Sequence, residues 1–252
     1  MQSEKQIYEL IRNAGKAILE IYNDQALFEQ VETKADASPL TLADKKSHEI
    51  IDEGLKRLFP EIPVISEEGK DMPFENRKDF KKFWLVDPLD GTKEFINRNG
   101  DFTVNIALIE GHYPVAGFIY MPVQDVLYVG SEEGAFRYDK EGKTSLQVNG
   151  STSERVAVRS RSHASPEEEE ILQKYLVEKE MSRGSSLKFC AVAEGSADLY
   201  YRHGPTMEWD TAAGQAILEA AGGRMYIGNK EERRFRYNKE NLLNSGFLCL
   251  GF

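Results

Sequence analysis

The hydrophobic pattern along the chain predicts an α/β protein whose first half is α+β and whose second half is α/β. In the first half, two amphipathic helical stretches precede a run of β-rich segments joined by short turns, the order expected when helices cover an antiparallel sheet. In the second half, strand-like and helix-like segments alternate. A polar, loop-like stretch over 142–154 separates them, giving an N-terminal half of residues 1–152 and a C-terminal half of residues 153–252. No internal repeat competes with this division.

Each element has its own signal. Over 3–28 the residues Ile7, Leu10, Ile11, Ala14, Ile18 and Ile21 recur at three and four, which predicts one amphipathic helix. The stretch 31–39 is polar and turn-rich. Thr41-Leu-Ala-Asp44 then has the spacing of a capping box and opens a helix over 42–59 that ends at Pro60. Residues 62–66 form a short strand that empties into Glu67 and Glu68, and 71–81 reads as loop with a short helix. A buried strand over 82–86 is expected to stop at Pro88 and Gly91. Strands follow at 102–109, 115–120, 126–129 and 135–138, close enough to pair antiparallel. Beyond the boundary come a strand at 155–160, a helix from Pro166 with four glutamates in its first turn, a helix at 187–194, a strand at 197–201 and a helix at 209–221 closed by Gly222 and Gly223.

Composition narrows the function classes. With 252 residues, 40% hydrophobic and 29% charged, the chain can bury the core of a globular enzyme. No apolar run approaches the ~20 residues of a membrane helix, and Met-Gln-Ser-Glu-Lys at the start lacks the apolar core of a signal peptide, so residence in the cytoplasm is expected. A formal charge of −10 argues against a nucleic-acid polymer as partner, since such binding depends on cationic surface. Cys190 and Cys249 are expected to be buried free thiols, the four histidines show no zinc spacing, and no acidic loop has EF-hand spacing.

The chemistry concentrates in Trp84-Leu-Val-Asp87-Pro-Leu-Asp90-Gly-Thr92-Lys-Glu-Phe95. Asp87 and Asp90, three apart across a proline turn, can point both carboxylates and the Leu89 carbonyl at one centre, and hard divalent cations take such oxygens. Gly91 allows close backbone approach to a ligand, and Thr92 opens a helical turn whose free N–H groups favour phosphate. An Asp-Pro turn capped by Gly-Thr explains the same residues without any ligand. A covalent aspartyl-phosphate route is disfavoured, because haloacid-dehalogenase-type phosphatases place a nucleophilic aspartate where this chain has Pro88. Further acids lie at element ends: Asp44, Glu67 with Glu68, and Asp210 in Glu208-Trp-Asp-Thr-Ala-Ala-Gly. Taken singly, Asp44 and Asp210 are ordinary helix-start residues.

Ser-Glu-Glu, Asp-Pro-Leu-Asp-Gly-Thr and Trp-Asp-Thr-Ala-Ala-Gly together resemble the inositol monophosphatase superfamily of Mg²⁺-dependent, lithium-sensitive phosphatases over nearly the whole chain. The segments 33–44, 87–96, 98–108, 184–190 (Gly-Ser-Ser-Leu-Lys-Phe-Cys) and 209–214 are more specifically similar to CysQ-type 3′(2′),5′-bisphosphate nucleotidases. The resemblance implies a layered αβαβα sandwich, Mg²⁺ as cofactor and a small nucleotide bisphosphate as partner. The substrate implied is adenosine 3′,5′-bisphosphate, cleaved to AMP and phosphate by metal-activated water, with adenosine 3′-phosphate 5′-phosphosulfate as a further one. A role in sulfate assimilation and a peripheral association with the inner membrane are part of the same implication.

Carried over by residue, Glu67, Asp87 and the Leu89 carbonyl resemble the ligands of one ion, and Asp87, Asp90 and Asp210 those of a second, with Asp44 available to a third. Asp44, Glu67 and Thr92 take the catalytic roles of orienting or deprotonating water. Leu89, Asp90, Gly91, Thr92, His163, Ser185, Lys188, Arg202 and Asp210 match substrate-contacting positions. Rival readings are an inositol-phosphate or sugar-bisphosphate phosphatase with the same metal core, and a noncatalytic phosphate-binding protein. Gly-Ser-Ser-Leu-Lys disfavours the first, and retention of Thr92 with all the carboxylates disfavours the second.

Overall fold

The computed structural model describes residues 2–29, 31–33, 39–150, 153–160 and 166–252. Helix α1 (Gln2–Asn23) buries the stripe predicted from its spacing. The expected single helix over 3–28 is broken at Asp24, whose carboxylate accepts from the N–H groups of Ala26 and Leu27 and starts a separate turn, α2 (Gln25–Phe28). Aspartate offers the backbone a non-helical partner, so it caps here rather than continues. Strands β1 (Val31–Thr33) and β2 (Pro39–Thr41) pair antiparallel. Helix α3 (Leu42–Leu58) then opens with the predicted capping box: Asp44 accepts from the Thr41 N–H at 2.7 Å.

The first sheet has seven strands in chain order: β3 (Val64–Ser66), β4 (Lys82–Asp90), β5 (Thr103–Glu110), β6 (Tyr113–Met121), β7 (Val126–Ser131), β8 (Gly134–Asp139) and β9 (Gly142–Leu146). Only β3 and β4 run parallel. Short helices α4 (Phe74–Arg77) and α5 (Thr92–Ile96) flank β4. Two features depart from expectation. Residues 142–146 are an edge strand rather than loop; all but Leu146 are exposed, so no apolar alternation marks them. Strand β4 does not end at Pro88 but continues to Asp90 through a bulge, where proline is tolerated because a ladder N–H is not required.

The second sheet has the order β11-β10-β12-β14-β13, formed by β10 (Arg155–Arg159), β11 (Val177–Ser182), β12 (Leu199–Arg202), β13 (Arg224–Ile227) and β14 (Phe247–Leu250). Strand β10 runs parallel to β11 and β12, whereas β14 is antiparallel to β12 and β13. Helices α6 (Pro166–Lys174), α7 (Leu187–Ala193) and α8 (Glu208–Ala220) complete the chain.

The layers are α1 with α3, the first sheet, α7 with α8, the second sheet, and α6, so the αβαβα sandwich is observed. Each layer closes over a core. Ile11, Ile18, Ile51 and Leu55 pack on Trp84, Val86 and Ile106 of the first sheet. Phe83, Leu85 and Ile109 on its other face meet Phe189, Ala213 and Ile217 of the middle helices. Ile171 and Leu172 of α6 cover Leu199 and Leu248. Glycines permit the closest seat: side chains at Gly117 and Gly130 would run into the α8 backbone at Ala213 and Ile217. That contact brings the start of α8, with Asp210, alongside the end of β4. Among the described residues no helix is long and apolar enough to cross a membrane, and Cys190 and Cys249 are free and buried.

Candidate active site

The β4 bulge builds the centre of the site. Asp87 stands opposite Asn105 and Asp90 opposite Thr103, so three steps along β4 face two along β5. Asp87 is 2% exposed, and its Oδ1 accepts from the Leu89 N–H at 3.1 Å. On the other side of the same peptide group, the buried Ser47 hydroxyl of α3 donates to the Pro88 carbonyl at 2.7 Å. Gly91 follows with φ of +90°, the left-handed region that favours glycine, and a Cβ there would press on Ser185. Thr92 then donates through Oγ1 to Asp44 Oδ1 at 3.3 Å and lies 3.5 Å from the Leu89 carbonyl oxygen. Asp44 therefore caps α3 with one oxygen and aims Thr92 with the other.

Glu67 directly follows β3, anchored by its N–H to Val86 O at 3.1 Å, and its carboxyl, by proximity, adds to burial in raising that of Asp87. Asp210 sits in the first turn of α8, accepting from the Met207 N–H at 2.8 Å. Two residues earlier, fully buried Glu208 accepts from the N–H groups of Asn238 and Lys239 and from the Lys239 ammonium, which pins the helix start. Glu67, Asp87, Leu89, Asp90, Thr92 and Asp210 line one cavity of about 390 Å³.

Burial, and then the neighbouring charges of Glu67, Asp90 and Asp210, push the Asp87 carboxyl well above the usual carboxylate range. Burial, followed by Asp90, does the same to Asp210. Among the described residues no three His, Cys, Asp or Glu side chains are already drawn into a metal cage. The donor chemistry nonetheless fits a hard divalent cation: only oxygen ligands, with like charges crowded in one wall.

Asp90 joins this cavity to a second one. Its Oδ2 accepts from Ser185 Oγ at 2.6 Å, from the Ser186 N–H at 2.6 Å and from Asn105 Nδ2 at 3.4 Å. The second cavity, about 310 Å³, shares Asp90, Gly91 and Asp210 with the first and is lined further by Ser185, Lys188 and Arg202. Lys188 is 6% exposed, donates to the Ser185 carbonyl at 2.6 Å, and lies 5.5 Å from the Tyr200 ring centre. Burial, aided by Arg202, lowers its ammonium to about 8. The Arg202 Nε is buried with no hydrogen-bond partner.

The structure thus gathers Asp44, Glu67, Asp87, Leu89, Asp90, Gly91, Thr92, Ser185, Lys188, Arg202 and Asp210 about one cleft, while Glu68 does not line it. His163 lies outside the described residues, as does part of the first motif, 34–38. Sequence reasoning missed Ser47, Thr103, Asn105 and Ser186, as well as Ser160, which also lines the second cavity. Thr103 and Asn105 did carry a signal: two polar residues at i and i+2 place their side chains on one face of an otherwise apolar strand.

The model of the inositol monophosphatase family matches residues 2–246, and the chain belongs to that family. Among its relatives is the 3′(2′),5′-bisphosphate nucleotidase CysQ of Shigella flexneri, 47% identical over 244 residues that span 96% of this chain and 97% of that protein. The crystal structure of CysQ from Bacteroides thetaiotaomicron superposes with a TM-score of 0.86 at 43% identity, covering 98% of this chain and 96% of that one. The Thermotoga maritima IMPase has the same fold, with a TM-score of 0.79 at 21% identity over 100% of this chain and 92% of its own.

Proposed function

We propose that this chain is a Mg²⁺-dependent 3′(2′),5′-bisphosphate nucleotidase that hydrolyses adenosine 3′,5′-bisphosphate to AMP and phosphate. Its near full-length similarity to the CysQ nucleotidases supports the activity. The observation that carries the substrate reading is the opposite charge of the two ends of one continuous cleft, acids around Asp87 and two confined cations, Lys188 and Arg202. A substrate with two phosphates can place one at each end.

Glu67, Asp87, the Leu89 carbonyl, Asp90 and Asp210 would hold two ions, with Asp44 available to a third. When bound, Mg²⁺ would neutralise charge on the reacting phosphate and make water a better nucleophile. The protein's own part is positioning. Asp44 holds the Thr92 hydroxyl toward the acidic end, where Thr92 can orient the attacking water and Glu67 or Asp44 can accept its proton. Lys188 and Arg202 hold the phosphate that does not react, with Ser185 bracing the wall through Asp90. Residues 1–152 would thus supply most of the chemistry and 153–252 most of the recognition.

A phosphate-release panel tests this reading: adenosine 3′,5′-bisphosphate, its 2′,5′ isomer, adenosine 3′-phosphate 5′-phosphosulfate, inositol 1-phosphate and fructose 1,6-bisphosphate, each with Mg²⁺ and with chelator. The nucleotides should be cleaved with the highest kcat/KM and only with metal. Preference for the inositol or sugar phosphate would overturn the substrate assignment, and full turnover in chelator would overturn the metal assignment.

A further inference from the structure

Residues 44, 47 and 48 of α3 lie on one helix face, since positions three and four apart are neighbours there. Each touches a different chain segment of the acidic end. Asp44 reaches Thr92, Ser47 reaches the Pro88 carbonyl, and His48 Nδ1 lies 2.9 Å from Ser66 Oγ, the residue before Glu67.

The Ser47 contact has a specific mechanical meaning. The Pro88 carbonyl and the Leu89 N–H belong to one planar peptide group. Ser47 holds its oxygen from the helix side, and Asp87 Oδ1 holds its hydrogen from the strand side. Both ends of the plane are therefore fixed, which anchors the frame from which Leu89 extends its own carbonyl toward the cavity. Pro88 sits inside the bulge, between the ladder pairs at Asp87 and Asp90. A serine buried in a helix interior commonly bonds back to its own helix, so its use on a distant carbonyl calls for an explanation. His48 ties the end of β3 to α3 through the Ser66 hydroxyl, a side-chain contact, one residue before the Glu67 carboxyl enters the cavity wall.

We propose that Ser47 and His48 are positioning residues of the phosphatase site, which from one face of α3 set the directions in which Leu89, Asp87 and Glu67 present oxygen to a divalent cation. This rests on the metal-dependent reading above. Neither residue would touch substrate. Removal should therefore weaken response to Mg²⁺ while leaving nucleotide KM at saturating Mg²⁺ near the parent value.

The test uses Ser47→Ala, His48→Ala and His48→Asn, whose amide nitrogen or oxygen can stand near the place of Nδ1. Thermal unfolding midpoints are recorded without metal and across a Mg²⁺ titration, alongside turnover. Loss of such a supporting contact typically costs ten- to a hundred-fold in metal affinity, so Ser47→Ala should raise the half-saturating Mg²⁺ by about ten-fold or more in both readouts. His48→Ala should raise it several-fold, and His48→Asn should recover much of that loss. If Ser47→Ala does not fold, the partly exposed His48 pair still decides the matter. Variants that lower the metal-free midpoint but keep the parent's Mg²⁺ half-saturation would overturn the proposal, leaving a role in folding only. A parent whose midpoint and turnover both ignore Mg²⁺ would instead overturn the metal-dependent function itself.

Discussion

At one end of the cleft, the carboxylates of Glu67 just after β3, Asp87 and Asp90 of β4 and Asp210 of α8 crowd together, and burial with mutual repulsion drives Asp87 and Asp210 toward their protonated forms. At the other end, Lys188 and Arg202 are confined beside one another, and burial lowers the Lys188 ammonium to about 8. Each end is strained on its own in the sense that its charges lack full compensation from the protein. The acidic end calls for a cation and the basic end for an anion, and the two meet at a wall that includes Asp90, Gly91 and Asp210, where one Asp90 oxygen accepts from Ser185, Ser186 and Asn105. Selectivity and chemistry should therefore be separable by mutation, except along that shared wall.

The largest expected effect is at the acidic end. Asp87→Asn keeps an oxygen to accept from the Leu89 N–H but removes the charge. If a bound cation is worth several kcal/mol to the transition state, turnover should fall by about a hundred- to a thousand-fold. Metal-free stability should not fall with it. The native Asp87 carboxyl is raised above its unfolded value, so its stabilising share is present at low pH and is lost as pH rises through the raised native value. In chelator, the parent's unfolding midpoint should fall as pH rises beyond the ordinary carboxylate range, and Asp87→Asn should flatten that fall. A variant with unimpaired turnover at saturating Mg²⁺ would reduce Asp87 to a turn residue.

At the basic end, Lys188→Ala or Arg202→Ala removes one charge-assisted contact, worth about 1.5–3 kcal/mol, so kcat/KM on adenosine 3′,5′-bisphosphate should fall roughly ten- to a hundred-fold. A small phosphate ester that reaches only the acidic end should be cleaved as poorly by the variants as by the parent. Equal proportional losses on both substrates would show that the two ends are one mechanical unit.

The two ends also differ in how far the sequence reveals them. Asp87, Asp90, Gly91 and Thr92 are local, a proline turn with a glycine that only a bulge and a left-handed residue satisfy, and their neighbourhood is legible from spacing. The order of an α+β half and an α/β half is legible too, through the shift from helical to alternating patterns, and the layered sandwich through the family resemblance. The supports are not. Ser47 meets Pro88 across 41 residues and Ser186 meets Asn105 across 81, distances that tertiary folding alone closes. Lys188 is reached only through the family resemblance, and its burial is hidden: basic residues usually remain in water, and nothing local shows that α7 is sandwiched between two sheets. Strand β9 escapes because an edge strand exposed on both faces carries no alternation.

Thr92→Ala should lower kcat by a smaller factor than Asp87→Asn, because the carboxylate donors remain and only the group that orients water is lost. Its Mg²⁺ half-saturation should stay near the parent's. A raised half-saturation with unchanged kcat would place Thr92 among the supports of the cation instead.

The smallest expected effect is a pH limb that belongs to the basic end alone. Lys188 is charged below about 8 and loses its proton above it, since burial favours the neutral amine. The bare protein gains stability as pH rises through that value, because the unfolded lysine still binds its proton. Affinity for an anion runs the other way: once Lys188 is neutral, the distal phosphate loses a partner. The pH profile of kcat/KM reports groups of the free enzyme, so for adenosine 3′,5′-bisphosphate it should decline above about pH 8. A small ester confined to the acidic end should show no decline at that position. Lys188→Arg keeps its charge to far higher pH, so it should remove the limb even though the planar guanidinium fits the lysine site imperfectly and lowers efficiency throughout. A limb that persists in Lys188→Arg, or that the small ester shares, would assign it to the acidic end.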